Sequence, residues 1–447
     1  MGCAALSRLG PMEPLGIIAL LIFLVIVVGS TKGIIPQDIL PVQTALTLGA
    51  LIIWMLGLVF GKPVEVRGIA ANVYLHPLTA VIAGFLVAGA LEAAGGFTAA
   101  MALLQKIEKT PLGFAGAVVI LVNFPAVIAM PCGRILVAAL FPLAVMFGQA
   151  IARQKNDPLL ASIIVFGFII NAAASCGPSP LGGIGMSGEG LGGYPLGSFS
   201  NAQQLAIMVM SAVTMISIRL FYRILPLPDY RTVNRDTVLP TPTRIGYFSF
   251  FLFTSVLSIV FIFKPPIPIQ TILACIGISI MAVAGLRIRD VMGGIIIHPI
   301  LAMVSGFIFA GALLYAGGFT VLLAVLDWIA SHSPLGYVGV AVLLTFSPTI
   351  LPMPCGRIIG VALLPGVFMF AQKIMMTYHA PMVIPAMLTA FIINAASSCG
   401  PSRIGGVGEI GEGLLGISPG SATRPQQIGI IVGTGTAAVL VALFGFL

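Results

Sequence analysis

The sequence predicts an all-α polytopic membrane protein made of two inverted repeats, each holding five transmembrane helices and one re-entrant helical hairpin. Three observations predict it. Of the 447 residues, 59% are hydrophobic and 8% carry a formal charge, against roughly 25% charged in a soluble domain, which excludes a water-soluble globule. The pentapeptide MPCGR at 130–134 returns at 353–357, and each copy is followed at the same distance by a second shared block, IINAAASCGPS at 169–179 and IINAASSCGPS at 392–402. A fixed offset of 223 residues makes two halves built alike. An odd number of spans per half then turns the second half upside down in the membrane.

The elements follow in order. Pro14 to Val28 is the first apolar span. It could pass for a signal peptide, but Tyr247 to Phe263 opens the second half in the same place, so a retained helix is expected. Leu40 to Phe60 is the second span, answered by Ile267 to Leu286. The third, HPLTAVIAGFLVAGALEAAGGF at 76–97, is matched by HPILAMVSGFIFAGALLYAGGF at 298–319, each about long enough to cross at ~1.5 Å per residue. Pro111 to Ala150 differs, with two apolar arms and breaks expected at Pro125 and at Pro131-Cys132-Gly133. Neither arm reaches the ~20 residues of a span, which predicts a re-entrant hairpin with MPCGR at its tip. Pro334 to Lys373 repeats it, with breaks expected at Pro348, Pro352 and Pro354. A helix from Leu159 to Ala174 then runs into SCGPSPLGGIGMSGEGLGG at 175–193, and one starting near Met382 runs into SCGPSRIGGVGEIGEGLLG at 398–416. Both runs are too rich in Gly and Pro to be expected as helix, and such backbone is tolerated at membrane depth where it lines a cavity. Helices at Gln203 to Phe221 and Gln427 to Phe446 close the two halves.

Residues 1–224 thus form the first repeat, 225–242 a cytoplasmic linker and 243–447 the second repeat. Thirteen lysines and arginines fall in loops on one expected face and five on the other. The positive-inside rule puts the richer face in the cytoplasm of a plasma (inner) membrane, with both termini outside. The net charge of +8 is spread over these loops, so no nucleic-acid partner is read from it. Six cysteines include no CxxC pair and four of them lie inside the repeated blocks, which argues against a disulfide framework.

Arg134 and Arg357 sit just after the hairpin breaks. An arginine at membrane depth costs ~3 kcal/mol or more, so it must meet water, a counter-charge or a ligand. Its guanidinium fork matches a carboxylate or another oxyanion. The N-terminal ends of broken helices favour anions, while unwound carbonyls favour Na⁺. The Gly-Gly-x-Gly runs at 182–185 and 405–408, with Gly177 and Gly400 before them, leave such backbone open to contact. Asn171, Ser175 and Ser179, with Asn394, Ser398 and Ser402, add neutral donors and acceptors. Together they suit a small polar solute and a cation.

A plainer reading stands beside this one. Glu189 and Glu412 occupy equivalent places, so they could neutralise Arg134 and Arg357 as structural ion pairs. Where the first half has Pro180 and Met186, the second has Arg403 and Glu409, giving three site charges of each sign. An anionic ligand then requires that geometry leave some basic charge free. Cys132, Cys176, Cys355 and Cys399 could meet a soft metal or metalloid, or simply be small buried residues. His76 and His298 read as interfacial, and Glu92, opposite Leu314 in the repeat, as facing the bundle interior or pairing across it.

This layout resembles the ion transporter superfamily, and its divalent anion/sodium symporters most closely. The family's Ser-Asn-Thr motif is replaced here by FPAVIAMPCGR (124–134) and SPTILPMPCGR (347–357) at the hairpin tips and by NAAASCGPS and NAASSCGPS at the broken helices. The resemblance implies a homodimer in which a hairpin-bearing unit slides, elevator-fashion, against a scaffold of early spans. The expectation is a secondary active transporter of a small organic anion, a carboxylate, coupled to Na⁺ or H⁺ and using no other cofactor. Arg134, Arg357 and Arg403 would contact the anion. Asn171, Asn394 and the serines would bind substrate, and Glu189, Glu409, Glu412, Gly177 and Gly400 would serve the coupling ion. Rivals are a cation/proton antiporter on the same scaffold and a soft metal transporter using the cysteines. No nucleophile and base stand at useful spacing and no HExxH occurs, so an enzyme is not expected.

Overall fold

The computed structural model describes residues 14–31, 34–36, 40–62, 66–71, 75–128, 133–178, 184–195, 197–224, 241–263, 267, 269–292, 297–350, 356–400, 408 and 421–444. These residues are helical, with no strand among them. The first half contains α1 (Pro14–Thr31), α2 (Val42–Val59), α3 (Val66–Ala71), α4 (Leu75–Ala93), α5 (Gly96–Glu108), α6 (Gly113–Ile128), α7 (Gly133–Gln154), α8 (Leu159–Ala174), α9 (Ile184–Gly192) and α10 (Ser200–Phe221). The second contains α11 (Arg244–Phe263), α12 (Ile269–Ala284), α13 (Ile288–Met292), α14 (Ile297–Tyr315), α15 (Gly318–His332), α16 (Gly336–Ile350), α17 (Gly356–Tyr378), α18 (Val383–Ser397) and α19 (Thr423–Phe444). The order and lengths run in parallel from half to half. Most of the expected linker lies outside the described residues.

This is a helical membrane protein by its surface. Val59, Leu220, Phe263 and Leu443 are each at least 70% exposed, and large apolar side chains in such numbers belong against lipid. Three described helices, α2, α10 and α19, are long and apolar enough to cross a membrane, and each of two bent pairs adds a crossing if counted as one span. That is fewer than the ten full spans expected, because most of the other apolar helices are only 10–17 residues long. The third span of each half ends at Gly-Gly-Phe as expected, and the chain there turns by 70° from α4 into α5 and by 75° from α14 into α15. Gly95 and Gly317 make these turns at φ +78°, a left-handed conformation that glycine adopts without steric cost.

The halves exchange elements. α2 packs on α14 and α12 on α4; α1 packs on α15 and α11 on α5. Glycines allow both approaches, since a methyl at Gly16 would lie 2.9 Å from the Gly317 carbonyl oxygen and one at Gly246 would lie 2.5 Å from that of Gly95. At the centre α10 and α19 cross antiparallel. Gly429 lies against Met210 and Thr214, and Gly433 against Ala206 and Met210, so one numbering rises as the other falls.

Two sequence expectations are corrected here. Pro125 and Pro348 do not break the hairpins but lie inside α6 and α16. A proline in a helix frees the carbonyl four residues earlier, and at Pro348 the hydroxyl of Ser347 supplies the missing donor to Leu344 O at 2.8 Å. Residues 129–132 and 351–355, where the other breaks were expected at Pro131, Cys132, Pro352 and Pro354 and where Cys355 falls, lie outside the described residues. Secondly, residues 184–192 are helical despite four glycines, because α9 is packed into place. A methyl at Gly188 would lie 2.5 Å from Ile392 Cδ1, so the small residue is what lets α9 approach α18.

Candidate functional site

α8 and α18 hold the shared blocks and are enclosed by protein. From Ala161 to Ala174 every residue of α8 is buried, and α18 is buried along nearly its whole length. A helix apolar all round belongs inside, and at 16 and 15 residues both end before the ~20 needed to cross. Their C-terminal ends meet. Cys176 Sγ lies 4.0 Å from Ala396 O, and methyls at Gly177 and Gly400 would lie 3.1 Å from Ile393 Cδ1 and 2.8 Å from Ile170 Cδ1. Two helix C-termini, the negative ends of their dipoles, thus converge between the halves.

Asn171 and Asn394 stand in the last turns and are fully buried. Asn171 Nδ2 donates to Ser211 Oγ at 2.9 Å and to Asn123 Oδ1 at 3.3 Å. Asn394 Nδ2 donates to Thr434 Oγ1 at 3.0 Å, and its Oδ1 accepts from Thr349 Oγ1 at 2.8 Å. Ser211 and Thr434 are themselves 223 residues apart. Each asparagine therefore ties its broken helix to the final helix and to the first hairpin arm of its own half. The two environments differ in one atom, as Asn171 Oδ1 is buried with no partner among the described residues.

Beyond the asparagines the chain turns tightly. Ser175 and Ser398 hydroxyls donate back to Ala172 O at 2.7 Å and Ala395 O at 2.8 Å, which leaves their oxygens able to accept. In the first half the turn closes through Ile184 N to Cys176 O at 2.9 Å and Gly185 N to Gly177 O at 2.8 Å. Here α17 arrives, which at 23 residues is longer than the hairpin arm expected from the sequence, as is α7 at 22. Gly360, one turn past Arg357 in α17, faces Ile184 at the start of α9 and Ala395 at the end of α18, with 3.3 Å from a methyl there to each. Arg134 and Arg357 lie in the first turns of α7 and α17, which carry no acidic residue. Their side chains, with Arg403, Ser179, Ser402, Glu409 and Glu412, lie outside the described residues.

Glu189 is fully buried and accepts the backbone N–H groups of Gly197 at 2.7 Å and Phe199 at 2.9 Å. It anchors the entry to α10, on a helix that packs against α17 and α18 of the other half. Glu92 is exposed in the last turn of α4 rather than turned to the bundle interior. Cys176 and Cys399 donate to Ala173 O at 3.3 Å and Ala396 O at 3.4 Å, and no metal-holding group of His, Cys, Asp or Glu occurs among the described residues.

Besides Asn123, Ser211, Thr349 and Thr434, a Gln-Gln pair in each half escaped the sequence reading. Gln203 and Gln426, again 223 apart, are fully buried. Their neighbours Gln204 and Gln427 donate to the last carbonyls of the first hairpin arms, Val127 O at 3.5 Å and Thr349 O at 3.1 Å. The Gln-Gln pair at the same offset was the available signal. Neither the family models nor the curated proteins compared with this chain match it.

Proposed function

We propose that this protein is a secondary active transporter of a small organic anion, a carboxylate, coupled to Na⁺ or H⁺. One observation carries the reading, namely where the helices stop. α8 and α18 end, and α9 and α17 begin, against one another between the halves. C-terminal ends favour a cation and N-terminal ends an anion. An arginine in a first turn that has no acid adds positive charge where the dipole is already positive, and an anion relieves both. In this reading Arg134, Arg357 and Arg403 contact the substrate, while Asn171, Ser175 and Ser398 face the cation. The antiparallel α10 and α19 support two inverted repeats in a plasma (inner) membrane. The hairpin-bearing unit of each protomer of a homodimer then moves as an elevator to give alternating access.

The rival antiporter needs glutamates that exchange protons. Glu189 is already engaged by two backbone amides, which disfavours it in that role. A thermal-shift screen of purified protein in detergent separates the readings. Di- and tricarboxylates, amino acids and soft metal ions are tested with and without sodium. A carboxylate that stabilises only with sodium supports the symporter, because a ligand that binds the folded state alone raises its stability. Stabilisation by sodium or pH alone, with every organic solute silent, moves the assignment to the antiporter.

A further inference from the structure

A cavity of about 180 Å³ lies between α5, α6 and α11, away from the ends of the broken helices. Ala100, Leu104 and Ile107 of α5, Ile120 and Phe124 of α6 and Phe250 of α11 line it, and the remaining walls are leucines. The Phe124 and Phe250 rings stack 6.1 Å apart. A cavity of roughly 150 Å³ lined by such side chains stays dry and takes an apolar guest. Alanine at 100 leaves the space open; counted from the shared Gly-Gly-Phe, the second half has Leu322 there. The rim faces the membrane, since Ile120 is 39% exposed and its neighbour Val119 58%. An acyl chain can therefore enter from the bilayer.

Charge shows what the other end of that guest carries. Lys106 and Lys109 stand exposed at the end of α5, on either side of Ile107 and Glu108, and Arg244 opens α11 one turn before Tyr247. Lys106 Nζ lies 5.8 Å from the centroid of the Tyr247 ring, a cation–π contact one turn from Phe250. Three basic residues thus gather at the mouth, against the one acid of this turn, Glu108. In the second half α15 and α1 pack on each other as α5 and α11 do, yet neither carries a lysine or arginine. Trp328 and Ser331 stand where the first half has Lys106 and Lys109. We propose that the cavity is a binding site for an anionic phospholipid, with one acyl chain between α5, α6 and α11 and the phosphate against Lys106 and Lys109. These lysines lie on the face expected to be cytoplasmic, where basic residues attract anionic lipid. A neutral apolar molecule would leave the lysines unused and a free phosphate would leave the cavity empty, whereas a lipid uses both. Because α11 belongs to the second half, a seated lipid touches both halves, whatever solute is carried.

The test is native mass spectrometry of the full chain released from micelles holding phosphatidylglycerol and phosphatidylcholine in equal amounts, with thermal shift in detergent as a second readout. The wild type should retain phosphatidylglycerol about 10-fold over phosphatidylcholine, as two lysines at a lipid surface allow, and should melt higher in its presence. Lys106→Gln with Lys109→Gln should lose the preference, and Lys106→Arg with Lys109→Arg should keep it. Ala100→Leu, which copies the second half, should retain neither lipid and, without lipid, melt no lower than the wild type. Equal retention of the two lipids by the wild type would overturn the proposal, as would a preference that survives in the glutamine variant. Unchanged retention by Ala100→Leu would mean lipid adhering to the surface only, and a lower melting point of that variant would mean that the space is not open; either overturns the site. Stabilisation by glycerol 3-phosphate equal to that by phosphatidylglycerol would make the ligand a free phosphate ester and would overturn it too.

Discussion

Asn171 and Asn394 occupy the same position in the two halves yet are not equally satisfied. Asn394 uses both ends of its amide, on Thr349 and Thr434, whereas Asn171 leaves Oδ1 unpaired. Replacing Asn394 by leucine would strand two buried hydroxyls, at about 1–3 kcal/mol each. Asn171→Leu removes an atom that was already unpaired. Asn394→Leu should therefore lower the melting temperature in detergent by clearly more than Asn171→Leu, and equal losses would contradict the pairing described. Both asparagines were legible in the sequence because they lie in a block repeated with a single change, Ala174 against Ser397. Ser211 and Thr434 were not, since a serine in one half answers a threonine in the other. Gln203 and Gln426 escaped because a glutamine at the mouth of an apolar run reads as an interfacial residue until its burial is known.

Long, continuous apolar runs made the helices easy to place, and α1, α2, α8, α10, α11, α12, α18 and α19 fall close to their expected bounds. Glycine and proline were harder to read, because their effect is set by what packs around them. Pro348 was taken as a break but is carried inside α16 by the Ser347 hydroxyl, so Ser347→Ala should cost about 1 kcal/mol in chemical denaturation. Gly-Gly-Phe does end the third span of each half, with a bend into a further helix, while the glycines of α9 were taken for loop and proved to be contact surface. Gly429 belongs with these. A methyl there would lie 2.0 Å from Thr214 Oγ1 and 2.9 Å from Met210 O, so Gly429→Ala should destabilise the crossing by about 1–3 kcal/mol. Thr214→Ala in the same chain should recover part of that loss, as the worse of the two clashes is with the hydroxyl. Simple additivity of the two variants would contradict the contact.

Across the molecule, the two halves repeat even in small conformational details. Asn156 and His379, 223 residues apart, both take a positive φ, 50° and 53°, in exposed loops after the second hairpin arms. If the halves are inverted, these loops lie on opposite sides of the membrane. In a chain whose Cys3, Cys132, Cys275 and Cys355 are changed to serine, which leaves only the buried Cys176 and Cys399, Asn156→Cys should resist a membrane-impermeant maleimide in intact cells and His379→Cys should react. Equal labelling would contradict the inversion. The central claim is coupled transport at the site between the halves, and uptake by proteoliposomes tests it most directly. Labelled di- and tricarboxylates are offered under an imposed sodium or proton gradient to the wild type, Arg134→Ala and Arg357→Ala. The account predicts gradient-driven accumulation by the wild type and its loss in both variants at unchanged expression and melting temperature. Undiminished accumulation in both variants, or none in the wild type under either gradient, would contradict it.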